Sequence, residues 1–448
     1  MEDVLTTIPS PHYDKSQFKK QLEIMTAASE EAKDRIDYES AHNAEVLRSI
    51  GVVEEFLRRT KRLCYGGQAI NAHLPKKHQF YDPEHNVPDY DFFTPNAIAD
   101  IEDLTNMLQK AGFEEISSRE GMHAGTKKLY VNFIPVADIS LIDERLYDLL
   151  HKEAYESHGI SYMGADTLRM LMYLELSRPA GEVARWSKVY ERLMLLNTFD
   201  PVSKCKQRLT SNLMSSKEVE YIMDFITQEK RVFAGGDLNG MYRTAFKKKT
   251  PYAEWLLHTK QPILFFSPDL VNDTKHFGYE LRHSSKERTY VSKVEGVGGD
   301  LIPPMTIFMR RDQPFLIIIA ETACHAYYDI PLKEKKLRVA TIDTLVTLYF
   351  ALNLLKYKFR SMGALGCLAK ELVEISFRAR NNPLLFPFPF VSLKCSGHQK
   401  GIASLIRSKV RRIKTERLQL AKKRKTERNR TRNRTNQKRG GHLEDHIV

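Results

Sequence analysis

At 448 residues, with 42% hydrophobic and 28% charged side chains, the chain is long enough for two or three packed domains and has the composition of a folded protein. No apolar run nears the roughly 20 residues that cross a bilayer, the N-terminal MEDVLTTIPSPHYDK has no secretory character, and five widely spaced cysteines without a CxxC (Cys64, Cys205, Cys324, Cys367, Cys395) argue against a zinc site and a disulfide framework. The net charge of +13 is local: sixteen Lys or Arg but only two acids, Glu416 and Glu427, lie between Arg407 and Arg439, so attraction to polyanions is concentrated in a C-terminal tail.

Taken in chain order, Gln17 to Asp37 favour helix. Apolar residues at Val46, Leu47, Ile50, Val53, Phe56 and Leu57 then recur at helical spacing from Ala44 to Arg62 and lead into the glycine turn of Leu63-Cys64-Tyr65-Gly66-Gly67. A loop rich in Pro, His and Lys follows; the spacing of His73, His78 and His85 fits no metal template and reads as solvated. Next come a strand at Val87 to Phe93, a helix at Asn96 to Ala111, and alternation through Leu129, Val131 and Phe133 into Val136 to Ser140, with a bulge or edge expected at Pro135. Gly164 to Ser177 is apolar on nearly every side and predicts a buried helix with Asp166 as its N-cap; Pro179-Ala180-Gly181 ends it, and Glu182 to Leu196 begins another. The apolar run from Phe315 to Ala320 reads as a buried strand.

The chain repeats itself. Phe233-Ala234-Gly235-Gly236-Asp237-Leu238-Asn239 matches Cys64 to Asn71 after a one-residue shift, and LFFSPD (Leu264 to Asp269) matches DFFTPN (Asp91 to Asn96). Ile319-Ala320-Glu321 matches Val136-Ala137-Asp138, and IDTLVTLYFALNL (Ile342 to Leu354) matches ADTLRMLMYLELS. Four matches in one order predict a duplicated unit. In the second copy Leu264 and Pro262 stand where Asp91 and Asp89 stood, and Glu321 is the one carboxylate left.

Asp89-Tyr90-Asp91 on a strand puts two carboxylates on one face, because side chains alternate with period two. Asp138 from a neighbouring strand completes a cage for two divalent cations, with Mg²⁺ expected and Mn²⁺ as the alternative. Gly66-Gly67 offers backbone N–H groups that phosphate oxygens can approach closely. The DxD, the glycine pair and the lone Asp are each common; their order, helix, GG turn, strand with DxD, helix, strand with a third Asp, carries the signal.

That order resembles the polymerase-β-like nucleotidyltransferase superfamily, with one departure: a 21-residue spacer between Gly67 and Asp89, longer than the usual pattern. Within it, YGGQAIN … PDYDFFTP (Tyr65 to Pro95) and LRMLMYLELSRPAGEVARWSKVYERLMLLN (Leu168 to Asn197) are similar to the poly(A) polymerase catalytic subunits of large cytoplasmic DNA viruses, poxvirus and mimivirus-like, over roughly residues 45 to 395. The resemblance implies an α+β fold with a catalytic nucleotidyltransferase domain (44–200) and a second, degenerate nucleotidyltransferase-like lobe (201–395); a helical N-terminal segment (1–43) flanks them on one side and a basic tail expected to be disordered (396–448) on the other. It implies Asp89, Asp91 and Asp138 as catalytic metal ligands, Gly66 and Gly67 as the phosphate turn, ATP and a single-stranded RNA 3′ end as substrates, and a place in the host cytoplasm or virion. Arg185, Trp186, Lys188 and Arg192 are the candidates for triphosphate and base contacts, and Lys76, Lys77 and the tail for RNA contacts. Whether the chain acts as a homodimer or with a viral stimulatory subunit stays open. The rivals are a CCA-adding enzyme or an oligonucleotide second-messenger synthase, and a non-catalytic RNA-binding or processivity subunit whose carboxylates are relics.

Overall fold

The structure, a computed structural model, describes residues 18–440 apart from positions 83, 206–212, 247–258, 260, 285–286, 299–300, 333, 358–361, 382 and 390. Helix α1 (Lys19–Ala41) leads into α2 (Ala44–Thr60), where Asn43 accepts hydrogen bonds from the amides of Glu45 and Val46 at 3.0 and 3.1 Å and so caps the helix. Of the apolar stripe of α2, Val46, Ile50, Val53, Phe56 and Leu57 are buried, while Leu47 is exposed. There follow β1 (Leu63–Tyr65), α3 (Gly66–Ala72), β2 (Tyr90–Thr94), α4 (Ala97–Lys110), β3 (Ile116–Glu120), β4 (Thr126–Val131), β5 (Ile134–Leu141), α5 (Glu144–His151), β6 (Tyr155–Ser157), β7 (Ile160–Tyr162), α6 (Ala165–Leu176) and α7 (Trp186–Phe199). The seven strands form one sheet in the order β3-β4-β5-β2-β1-β7-β6, with β2 parallel to β5 and β1 parallel to β7. Phe92 of β2 meets Phe56 of α2, ring centroids 5.7 Å apart. Alternation therefore turns Asp91 to the opposite face of the sheet.

The second half rebuilds this plan from α8 (Ser216–Gln228), β8 (Val232–Phe233), α9 (Asp237–Ala245), β9 (Ile263–Ser267), α10 (Leu270–His283), β10 (Tyr290–Val294), β11 (Met305–Arg310), β12 (Gln313–Ala320), β13 (His325–Leu332), β14 (Lys335–Ala340), α11 (Ile342–Asn353), α12 (Gly363–Asn381) and β15 (Cys395–Ser396). Its sheet order is β10-β11-β12-β9-β8-β14-β13-β15, the first order strand for strand with β15 added at one edge. β9 is parallel to β12 and β8 to β14, as β2 is to β5 and β1 to β7. Phe225 of α8 meets Phe265 of β9 where Phe56 meets Phe92. Register corrects one equivalence. Asp91 stands opposite Asp138, whereas Leu264 stands opposite Ile317, so Ile317 and not Glu321 takes the place of Asp138. Glu321 lies beyond the strand: its amide donates to Ser267 as that of Ile142 donates to Thr94.

The two copies meet through their equivalent helices, α6 against α11. Every residue of α11 from Ile342 to Leu352 is buried, which explains a helix apolar on all sides. Truncating one such residue, Leu345, to Ala would cost about 2–5 kcal/mol. Gly164 caps α6, while Asp166 lies in its first turn and accepts a hydrogen bond from Arg169 at 2.8 Å, a correction to the expected cap. Two disulfides, Cys205–Cys367 and Cys324–Cys395 with Cα atoms 5.1 and 5.4 Å apart, overturn the expectation of none; their partners are 162 and 71 residues apart in sequence, and only the tertiary fold brings them together. Residues Ile402–Gly440 form α13 in place of the disordered tail. Lys, Arg, Leu, Ala and Gln are good helix formers, and no Gly or Pro interrupts the segment before its end. The tail's side chains at residue 420 and from residue 423 onward, residues 441–448 and residues 1–17 fall outside the described set. No helix among the described residues is long and apolar enough to cross a membrane.

Candidate active site

β1 delivers the chain to Gly66, whose φ of +72° is a conformation that side chains rarely adopt. A Cβ at Gly66 would collide with the Asp91 carboxylate and one at Gly67 with the Tyr81 hydroxyl, so both positions need glycine for close approach. The pair opens helix α3 directly. On the same sheet face, β2 and β5 place Asp91 and Asp138 opposite each other in parallel register. Asp89 sits one residue ahead of β2, on the exposed rim, because the strand begins at Tyr90 and not at Val87. Asp91 is half-buried and Asp138 is 9% exposed. The structure thus gathers the three predicted carboxylates at one end of the sheet.

Their electrostatics are those of a cluster short of positive charge. Burial first, then the charges of Asp89 and Asp138, push the Asp91 carboxyl up to about 7. Asp89, although exposed as a whole residue, is raised by loss of water around its carboxyl and by Asp138, with Lys128 and Lys188 pulling the other way. Asp138 Oδ2 accepts from Lys128 Nζ at 2.5 Å, while its buried Oδ1 has no hydrogen-bond partner. Among the described residues no three carboxylate, imidazole or thiolate groups converge closely enough to hold a metal ion as they stand. The expected cage is therefore not closed, as mutual repulsion and the Lys128 tie would dictate. Its donor set fits divalent cations all the same: hard oxygen ligands, one of them buried and unpaired, and a second carboxyl that added positive charge would ionise.

The predicted basic helix arrives as a single 3-10 turn at Val183–Arg185 followed by α7. Lys188 is depressed by Arg192 first, then by burial, Arg185 and Lys33, with Asp89 acting the other way. Arg185 pairs with Glu182 and Glu175 at 3.5 and 3.7 Å, and its charge reaches Asp91. Trp186 is turned to packing: its indole donates to the Glu175 carbonyl at 3.0 Å and rests on the core. Arg192 donates to Tyr81 Oη at 3.0 Å and lies 4.4 Å over the Phe80 ring, so it holds the long loop against the glycine turn.

That loop is ordered where solvation was expected. Asn71 Oδ1 accepts from Phe80 N at 2.9 Å, His73 bridges Asp200 and the Met163 carbonyl, His78 stacks on Phe199, and His85 meets Asp34 of α1. Each histidine has its own partner, and they form no metal site. Lys76 and Lys77 are exposed on a 3-10 turn. Sequence reasoning missed Lys128, Tyr81, Tyr65 and Ser140; the Tyr65 hydroxyl and Ser140 Oγ are 3.0 Å apart beside the cluster, and the Tyr65 ring stacks on Phe93. Lys128 could have been found by pairing residues across the β4–β5 hairpin, had the bulge between Leu129 and Tyr130 been anticipated.

A family model described as poly(A) polymerase catalytic subunit matches residues 51–182, the stretch that holds the glycine turn, all three carboxylates and α6. The putative poly(A) polymerase catalytic subunit of African swine fever virus (isolate Pig/Kenya/KEN-50/1950) is 29% identical over 167 residues, 36% of this chain and 35% of that protein. That of Acanthamoeba polyphaga mimivirus is 27% identical over 207 residues, 43% of this chain and 34% of the relative. The chain thus spans about a third of the length of the curated relatives it matches. Among solved structures, the Megavirus polyadenylate synthase superposes with a TM-score of 0.71 at 15% identity, covering 92% of this chain and 85% of that one; the two share a fold.

Proposed function

We propose that this protein is a template-independent adenylyltransferase, the catalytic subunit of a viral-type poly(A) polymerase, acting on RNA 3′ ends in the host cytoplasm or the virion. One observation carries the reading: Asp91 and Asp138, in register on adjacent parallel strands beside a glycine turn that a side chain would block, lie within the segment that matches the poly(A) polymerase family. In the reaction, the RNA 3′-oxygen bonds to the α-phosphorus of ATP, the bond from that phosphorus to the bridging oxygen breaks, pyrophosphate leaves, and the hydroxyl proton is given up. Asp89, Asp91 and Asp138 would hold divalent cations, Mg²⁺ first and Mn²⁺ as its substitute, which supply acidification of the 3′-hydroxyl and neutralisation of the leaving pyrophosphate.

The other roles belong to the chain. Gly66 and Gly67 let triphosphate oxygens come up to the backbone amides. Lys188 and Arg185, whose charges act on Asp89 and Asp91, attract and orient the triphosphate, and Arg192 joins them if Tyr81 yields. We assign Trp186 to supporting α7 and not to the base. The cations of α13 meet the RNA backbone: Arg412 and Glu416 tie the helix to Glu120 and Lys127 of the β3–β4 hairpin in the first lobe, so the helix is carried on the lobe that holds the carboxylates. Intact carboxylates disfavour the reading as a non-catalytic subunit.

The test is to incubate purified protein with each labelled nucleoside triphosphate, Mg²⁺ and a short single-stranded RNA. A ladder of adenylate additions with ATP alone is expected. Three-nucleotide CCA addition, an RNA-independent oligonucleotide product, or no product would overturn the assignment.

A further inference from the structure

Lys128 owes its position to an irregularity. The β4–β5 hairpin turns at Asn132 and Phe133, both at positive φ, and pairs Val131 with Ile134. Continued without interruption, that register would set Lys127 against Asp138. The bulge between Leu129 and Tyr130 shifts the ladder by one residue and sets Lys128 there, on the carboxylate face, while Lys127 goes to the other face and binds Glu120 and Glu416. Bulges of this kind re-aim a side chain.

We propose that Lys128 is a resident counter-cation of the carboxylate cluster, which cedes Asp138 to a divalent cation and passes to the triphosphate of the incoming nucleotide, so that cation and nucleotide bind cooperatively. The proposal rests on the reading of Asp89, Asp91 and Asp138 as cation ligands. Its ammonium takes only Oδ2 of Asp138 and leaves the buried Oδ1 unpaired, so the carboxylate is half-neutralised and half-free. Its charge acts on all three carboxylates. A dication on Asp138 would repel it at contact range. The side chain is about a third exposed, and its flexible four-carbon stem lets the ammonium leave Asp138 toward the open rim. The carboxylates it could turn to there, Asp89 and Asp91, belong to the same cluster and are claimed by the same cation. An arriving triphosphate supplies the missing anion. In its absence Lys128 competes with the metal; in its presence the competitor becomes a ligand of the partner.

Mn²⁺ binding to the full chain, followed by the electron paramagnetic resonance signal of free Mn²⁺ with and without α,β-methylene-ATP, tests this on wild type, Lys128→Met, Lys128→Arg and Asp138→Asn. Wild type should bind Mn²⁺ on the order of tenfold more tightly with the analogue than without it. Lys128→Met should bind Mn²⁺ on the order of tenfold more tightly than wild type when the nucleotide is absent, and should gain little from the analogue. Lys128→Arg should keep the coupling. Asp138→Asn serves as the control: Mn²⁺ affinity unchanged in that variant would sink the carboxylate reading itself. If Asp138→Asn loses Mn²⁺ but Lys128→Met keeps both wild-type affinity and wild-type coupling, the Lys128 proposal alone is overturned. A merely structural Lys128 would lower the melting temperature and leave both Mn²⁺ readouts unmoved.

Discussion

Asp91 links chemistry to stability. Its carboxyl, near 7 in the folded chain, titrates near 4 when unfolded, so between those values the folded state holds a proton that the unfolded state has lost. The stability this provides is complete below about pH 4 and is lost as pH rises through about 7. In the presence of a chelator, Asp91→Asn should therefore raise the melting temperature at pH 8 by a few degrees, corresponding to roughly 1–3 kcal/mol after allowance for solvent screening, and the gain should vanish near pH 4. Melting curves of both proteins across that range check it; a gain independent of pH would show that ionisation of Asp91 is not strained. Asp91 and Asp138 could be placed on strands from the sequence because each lies in an apolar run at strand spacing, whereas Asp89 lies one residue ahead of β2, where period-two alternation no longer fixes the face. The partners of the neighbouring cations could not be read. Arg192 is held by Tyr81, 111 residues away, and Trp186 by a carbonyl on the preceding helix, and no local pattern encodes either contact.

Among the elements, the β3–β4 hairpin does two jobs, one on each face of adjacent residues. Lys128 serves the carboxylates, and Lys127 with Glu120 anchors α13. Arg412 reinforces the anchor by donating to the Met122 carbonyl at 3.1 Å and the Gly121 carbonyl at 3.4 Å. Removing the chain after Ser404 should weaken RNA binding and flatten its salt dependence, since each single-strand phosphate neutralised contributes a slope of about −0.7. Addition to very short primers should persist. Fluorescence anisotropy over a salt series measures it, and an unchanged slope would mean that α13 does not contact RNA. The helices read from the sequence, α1, α2, α4, α6, α7 and α11, came within a few residues because their apolar periodicity is long, whereas α3, α5, α8, α9, α10 and α12 were not read. The tail was misread because a run of like charge looks unstructured, although its residues favour helix and the hairpin supplies counter-charges that the sequence does not place beside it.

Across the whole molecule, a duplicated sheet-and-helix unit packs its two copies through equivalent helices, and only one copy keeps the carboxylate cluster. The order of the four sequence matches revealed the duplication; the strand register was needed to show that the second copy has lost all three acids, to Pro262, Leu264 and Ile317. Its glycine turn is kept: a Cβ at Gly236 would meet the Gln261 side chain and Leu368 of α12, and one at Gly235 the Phe233 ring. A triple variant with Asp89, Asp91 and Asp138 each changed to Asn should therefore show no saturable binding of Mn²⁺ in titration calorimetry, whereas one remaining stoichiometric Mn²⁺ site would show that cation binding does not need these carboxylates. The central claim, that the carboxylates on β2 and β5 perform adenylate transfer, is tested most directly by a single-turnover assay: the rate of the first AMP addition from Mg²⁺-ATP to a short single-stranded RNA by wild type and by Asp91→Asn, each shown to be folded by its melting curve. The account predicts a loss on the order of 10³-fold or more, because a neutral amide cannot replace an anionic ligand; a variant that transfers AMP within tenfold of the wild-type rate would contradict it.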